Sequence, residues 1–347
     1  MAITYTGTTR NYTELAEIQA ELYQSSFTLA EGVVDIQPGH KSGTDVYESK
    51  VSVTMSAFNT GSVTATGNIG LAVQKTPVSL VGFNYEDTIN PNTLKGTRFE
   101  KSMKAGAFNI VSDEFDRKIL IEIEPAIGED IESKLWNGAT TATKAAIAAL
   151  TPGAGQGSIT AAAQTAVAAM PTTLFDSFVT RILYNNSQSK TIPGAGLGDY
   201  IKVTGTTVTS ANIAAEYGKL YAGAPVKVTS NQKKRGVIFA PLSDFALIKV
   251  ANNAVGAAQQ INFLIEGAEG NEKVYYNGHR IYFHPLGATF RIFTMPEYLK
   301  VLMDAESDLN TLQTGMMPAG SMEMFVKNTQ SIATWVTNQR YITLYGG

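Results

Sequence analysis

From Gly236 to Lys249 the sequence runs Gly-Val-Ile-Phe-Ala-Pro-Leu-Ser-Asp-Phe-Ala-Leu-Ile-Lys. It reads as a buried strand through Ala240, a turn at Pro241 and a helix from Leu242. This stretch sets the character of the chain. Strands and helices alternate around it, and no segment groups side chains as an active site does.

At 347 residues the chain makes one large domain or two smaller ones, with room for a substantial core. Charged residues are 16% of it, below the usual ~25%. So sparse a charge points to a surface covered by neighbours, because apolar patches left open aggregate. A net charge of -3 and a pI near 5.7 argue against a protein that binds nucleic acid by neutralising phosphates. The absence of cysteine excludes disulfides, thiolate nucleophiles and cysteine metal sites, and fits a reducing compartment. Residues 1–10 are Thr-rich and lack the basic-then-apolar pattern of a signal peptide. No apolar run approaches the ~20 residues of a membrane span. The expectation is a soluble protein made in a cytoplasm.

Residues 1–36 are a polar lead-in followed by one short amphipathic helix, with Thr13 as N-cap and Leu15, Ile18, Leu22 and Phe27 as its apolar stripe. A helix this short needs another surface to lie on. After the loop 38–43, Val51, Val53 and Met55 alternate with polar residues; Asn59-Thr60-Gly61 signals a turn, and Val63 through Val73 return. This long hairpin is rich in Ser, Thr and Gly and cannot be stable alone. It is either a surface hairpin or an arm that lies on an adjacent subunit.

Strand candidates over 76–110 are interrupted at Asn90-Pro91-Asn92. Next, Ile119, Ile121 and Ile123 alternate, as in a strand. Yet Phe115, Ile119, Ile123, Ile127, Ile131 and Leu135 recur every fourth residue, as in a helix. Pro125 costs about 3 kcal/mol inside a helix and little at its first position. This favours a strand to Glu124 and a helix from Pro125 to Trp136, ended by Asn137-Gly138; one long helix kinked at Pro125 stays open.

Residues 138–171 are Ala, Thr and Gly with weak helices. A helix with Leu174, Phe178, Ile182 and Leu183 on one face follows. Ser210 is the expected N-cap of a helix carrying Ile213, Tyr217, Leu220 and Tyr221, closed by Gly223 and Pro225. Asn277-Gly278 marks a hairpin over 274–283. Further strands are expected at 290–293, 299–303, 322–326 and 335–344.

This order of elements resembles that of the major capsid proteins of tailed bacteriophages with the Hong Kong ninety-seven type fold. The Ser/Thr-rich hairpin 40–75 resembles their extended loop, or E-loop. Ile131 to Gly138 resembles the end of their spine helix. Val237 to Asn253 resembles a strand-proline-helix unit of their axial (A) domain, and Gly278 to Met303 the strands returning from it. Phe325 to Asn328 through Arg340-Tyr341, with Tyr345-Gly346 at the tail, resembles closing strands of their peripheral (P) domain. The match runs over residues 40–347 in order, with no single specific motif. Pro125 and the stretch 138–171 depart from the pattern.

The resemblance implies an α+β fold: an N-terminal arm at 1–39, the E-loop hairpin at 40–75, a P-domain with spine helix and Ala/Gly-rich loop at 76–204, an A-domain at 205–300 and a return to the P-domain at 301–347. It implies pentamers and hexamers closing an icosahedral shell around double-stranded DNA held without sequence-specific binding. The implied subunit contact lies at Val51, Val53, Met55, Phe58, Asn59 and Gly61. Implied partners are further copies of the chain, a portal, and scaffolding or decoration proteins. No membrane and no cofactor are implied. The implied location is the virion capsid, assembled in the host bacterial cytoplasm. Lys41, Lys50 and Lys75 flank the hairpin, but no Asn can be named as a cross-linking partner. An encapsulin-like compartment or a tail-tube subunit is the neighbouring reading. A monomeric binding protein or enzyme with a lid at 138–171 is a reading of another class.

Chemistry has little to stand on. His40, His279 and His284 are the three histidines. His279 and His284, five apart on a strand, point to opposite faces and cannot share a metal. Gly153 to Gly157 and Gly194 to Gly198 lack the Lys-Ser/Thr of a phosphate loop. Asp304 to Asp308 has alternating acids but Leu309 where a calcium loop needs Gly. Lys233-Lys234-Arg235 reads as a solvated turn able to touch DNA or a neighbour's acids. No catalytic, cofactor or metal residue is assigned.

Overall fold

The computed structural model describes residues 9–11, 28, 33–41, 43–53, 69–103, 113–153, 158–184, 200–230, 236–254, 263–267, 272–304, 312–316 and 323–346. The expected helix over 13–27, Lys233 to Arg235 and residues 305–311 lie outside them. The chain folds as two compact units, and it passes between them after residues 42, 79, 132, 300 and 333.

The first unit takes residues 1–42, 80–132 and 301–333. Its sheet uses β1 (Thr9–Asn11), β2 (Asp35–Gln37), β5 (Val81–Ile89), β12 (Leu299–Met303), β13 (Leu312–Met316) and β14 (Met324–Val336), in the order β1-β13-β14-β12-β2, with β5 also on β14. β14 pairs with β13 over Met324–Asn328 and with β5 over Met324–Ile332. Asn90 ends β5 by capping a short turn: its Oδ1 accepts the N–H of Asn92.

The helix α1, Asp113–Trp136, corrects the expected strand to Glu124. Pro125 lies inside it, so Ile121 loses the amide that would bond its carbonyl, at about 3 kcal/mol. Packing outweighs that cost. Phe115, Ile119, Leu120, Ile127, Ile131, Leu135 and Trp136 are all at most 5% exposed, and each buried side chain of this size returns about 1.5–3 kcal/mol. Thr28 donates from its backbone N–H and its Oγ1 to the Glu132 carboxylate, at 3.1 and 2.6 Å.

The second unit takes residues 43–79, 133–300 and 334–347. It holds the ribbon of β3 (Thr44–Val53) and β4 (Ile69–Val78), and a mixed sheet of seven strands. Those strands are β6 (Ile201–Val203), β7 (Val237–Pro241), β8 (Phe263–Glu266), β9 (Lys273–Tyr276), β10 (His279–His284), β11 (Arg291–Thr294) and β15 (Thr343–Tyr345). Their order is β6-β15-β11-β7-β10-β9-β8. β7 is central and buried, parallel to β10 and antiparallel to β11. Its last residue, Pro241, leads straight into a helix over Leu242–Ala254, as the sequence predicts. Asn277 and Gly278 turn β9 into β10 with φ of +47° and +79°, the left-handed pair such a two-residue turn requires.

The Ala-rich stretch forms α2 (Thr141–Ala148) and α3 (Ala161–Ala169), each opened by a threonine whose side chain accepts the N–H three residues on. Next come α4 (Phe178–Leu183), α5 (Ile213–Gly223), α6 (Val226–Thr229) and α7 (Leu242–Ala254). Three expectations need correction here. Leu174 precedes α4 and is 66% exposed; Ser177 caps that helix. Ser210 is not the cap of α5, which starts after Asn212, whose Oδ1 instead accepts the Thr209 N–H. The expected strand 335–344 is broken: β14 ends at Val336, Asn338 is left-handed at φ +49°, and Gln339–Tyr341 make a 3-10 turn before β15.

Candidate functional site

Two features stand out, a paired ribbon and a polar interior. In the ribbon, β3 and β4 pair from Thr44↔Val78 to Val53↔Ile69. The paired positions sum to 122 throughout, so the connecting segment is centred on residue 61, where the sequence signals a turn. Ten residues per strand give a ladder roughly 30 Å long. Gly39 and Gly43 hold φ of +79° and +86° at its root, conformations other residues adopt only under strain. The Gly43 N–H donates to the Val78 carbonyl at 2.8 Å, and Val46 and Val78 are buried, while Tyr47 is 65% exposed. Between Lys50 and Lys75 no residue is charged.

Of the residues expected at a subunit contact, the ladder places Val51 against Leu71 and Val53 against Ile69 in register. Met55, Phe58, Asn59 and Gly61 lie outside the described residues. Tyr47 carried no signal in the sequence beyond one aromatic in a polar strand.

The polar interior was not foreseen. Asp244, in the first turn of α7, is buried, and its carboxylate accepts three donors: Arg291 Nε and Nη2 and the Tyr217 hydroxyl, each at 2.7 Å. Burial and the Asp244 charge push the Tyr217 hydroxyl well up. Burial alone would lower Arg291, but its bonds to Asp244 raise it. Nearby, Glu216 accepts from Tyr345 at 2.6 Å, Lys219 at 2.8 Å and Thr206 at 2.9 Å. Burial would push the Glu216 carboxyl up; these hydrogen bonds and the Lys219 charge outweigh it and hold it at about 2. The one signal in the sequence is Arg291 at the head of an apolar strand, where a buried charge requires a counter-charge.

A cavity of about 390 Å³ opens beside this cluster, lined among others by Thr206, Thr207, Ser243 and Arg291. Its charged groups are already spent on each other, which suits a clamp between strands and helices and not proton transfer. Lys202, lowered by burial, donates to the Gly153 carbonyl and Ser158 Oγ at 2.5 and 2.8 Å and so ties down the start of the Gly-rich run. His279 and His284 are both buried, among different neighbours. His279 Nδ1 lies 2.8 Å from the Gly236 carbonyl, and the His284 ring stacks on Trp136 with centroids 4.2 Å apart. Among the described residues, no group of three or more His, Asp or Glu could hold a metal, and no helix is long and apolar enough to cross a membrane.

The two sheets, the long helix α1 and the paired ribbon define the fold class: this is the α+β architecture of phage major capsid proteins. The particular likenesses span whole chains. A subunit of the satellite phage P4 procapsid, solved with its size determination (Sid) protein, is 10% identical, covers 96% of this chain and 99% of its own, and gives a TM-score of 0.50. The capsid subunit of the native GTA particle is 12% identical over 99% of this chain and 93% of its own, with a TM-score of 0.52. That of the cyanophage A-1(L) capsid is 11% identical over 93% and 92%, at 0.50. No protein-family model and no curated protein matches the sequence.

Proposed function

We propose that this chain is a major capsid protein of a tailed bacteriophage, a structural subunit without enzymatic activity. Copies form pentamers and hexamers that close an icosahedral shell around double-stranded DNA in the virion, assembled in the bacterial cytoplasm with a portal and scaffolding or decoration proteins. The observation that carries this reading is the end-to-end likeness to capsid subunits, 99% of this chain against 93% of the GTA subunit. A scarcity of charge supports it, since lasting interfaces are apolar at their centres.

In this reading residues 40–75 are the E-loop, 76–204 and 301–347 the P-domain and 205–300 the A-domain. The uncharged ribbon beyond Lys50 lies on an adjacent subunit, where Val51, Val53, Met55, Phe58, Asn59 and Gly61 make the contact.

The test is to express the chain and examine it by sedimentation and negative-stain electron microscopy. Capsomer-sized rings or closed shells are the expected result, and a monodisperse monomer at high concentration overturns the reading. Deleting residues 42–72 should abolish shells and leave the remainder folded; normal shells from that deletion overturn the E-loop assignment. Shells that enclose a protein cargo in place of nucleic acid point to an encapsulin-like compartment.

A further inference from the structure

Helix α7 carries an apolar row on its solvent side. Its inward positions Asp244, Ile248 and Ala251 are buried. Outward stand Leu242, 59% exposed, then Ala246, then Val250, 55% exposed. Spaced four apart, they form one inclined ridge on the helix surface. The ridge carries no charge. Asp244 is bound inside by Arg291, and Lys249, beside the ridge, is held by Glu272 at 2.6 Å and lies over the Phe245 ring at 4.6 Å. The other large apolar side chains exposed among the described residues stand singly: Tyr47 on the ribbon, Leu174 before α4, Val226 at the start of α6 and Leu264 on the edge strand β8.

We propose that α7 pairs with α7 of a second copy of this chain across a two-fold axis. A neutral ridge offers nothing to an anionic polymer, which is held through its phosphates. It fits an uncharged apolar surface, and among the described residues no other helix exposes two large apolar side chains. The ridge matches itself, because it is large at both ends and small at its centre. Turned end for end, Ala246 meets Ala246, and Leu242 of one copy lies beside Val250 of the other. Ridges of this kind interlock at about −50°, with the axes as little as ~8 Å apart where the residue at the crossing is small. A two-fold contact uses the same patch on both copies, so one neutral ridge supplies all of it. A lone helix pair buries less than the ~1,200 Å² of a stable interface, so free subunits pair only at high concentration. The pairing goes beyond the shell reading and does not depend on it.

The chain has no cysteine, so a single introduced thiol reports on the crossing alone. A246C is oxidised at high protein concentration, as free subunits and in any assembled particle, and linked dimers are read by electrophoresis without reductant. N253C is the control, exposed on the same helix but about 10 Å along its axis from Ala246. A disulfide needs Cβ atoms about 4 Å apart, so A246C should give at least ~fivefold more linked dimer than N253C. A246E sets two carboxylates against each other and should weaken dimerisation at least ~tenfold in sedimentation equilibrium. Ala246 is exposed, so circular dichroism should stay unchanged. Equal linking of A246C and N253C overturns the proposal, as does an A246E chain that dimerises like the native one. Loss of shells in A246E with no link in A246C overturns it in favour of a contact between unlike surfaces. Shells of A246C without the link leave the shell reading standing and remove this one; linked A246C dimers from a chain that never forms shells do the reverse.

Discussion

Replacing Asp244 by Ala tests how the second unit is held together. Its carboxylate and the Arg291 guanidinium are 1% and 3% exposed as side chains. Without Asp244, Arg291 keeps one hydrogen-bond acceptor, the Ala288 carbonyl at 3.1 Å, and the face of the Tyr345 ring at 5.3 Å. Breaking a buried pair in this way costs about 3–5 kcal/mol, because a charge is left uncompensated. Tyr217 loses its acceptor too, adding about 1–3 kcal/mol. Domains are stable by only about 5–15 kcal/mol, so Asp244→Ala should bring the unit close to unfolding at room temperature. The apolar triple replacement, Asp244→Leu with Arg291→Met and Tyr217→Phe, should return to within about 2 kcal/mol of native, because it strands no charge. Urea titration of the dispersed chain, followed by fluorescence and circular dichroism, measures both. The midpoint should fall sharply for the single variant and recover for the triple one. An Asp244→Ala variant within about 1 kcal/mol of native would refute the reasoning, as would a triple variant as weak as the single.

Two further outcomes follow from the same unit. A Cβ at Gly205 would stand 1.9 Å from the Tyr345 hydroxyl, which is itself bonded to Glu216 and the Thr206 carbonyl. Gly205→Ala should therefore lower stability by about 1–3 kcal/mol, whereas Gly82→Ala, with Ser331 Oγ at an ordinary 3.6 Å, should not; thermal melting distinguishes them. Glu216 sits at about 2 in the folded chain against its ordinary 4.5. A depressed carboxyl stabilises the fold above its ordinary value, and that contribution is lost as pH falls from 4.5 towards 2. Tyr345→Phe removes one donor, so its acid-dependent loss should be smaller and complete at a higher pH; urea midpoints between about pH 2 and 6 measure the shift.

What the sequence made legible was local. The run into Pro241 and out along α7 needs no distant residue, and neither do the Asn277-Gly278 turn or the hairpin centred near Gly61. What it obscured was set by distance. Pro125 argued for a break because its cost is local, while the burial that overrides it comes from residues far along the chain. Asp244, Arg291 and Tyr217 carry no spacing signal, since a helix start, a strand start and another helix bring them together. Leu174 looked like core because it fits a helical period, yet the helix begins only after Ser177.

The place of β15 bears on the timing of biogenesis. It lies between β6 and β11, parallel to one and antiparallel to the other, and is synthesised after every other described strand. Until residues 343–345 emerge from the ribosome, β6 has no neighbour in the sheet and Glu216 lacks its Tyr345 donor. A nascent chain, or one cut short by premature termination, thus cannot complete the second unit. Completion of the seven-stranded sheet therefore waits on residues 343–345, which follow every other described strand in the chain.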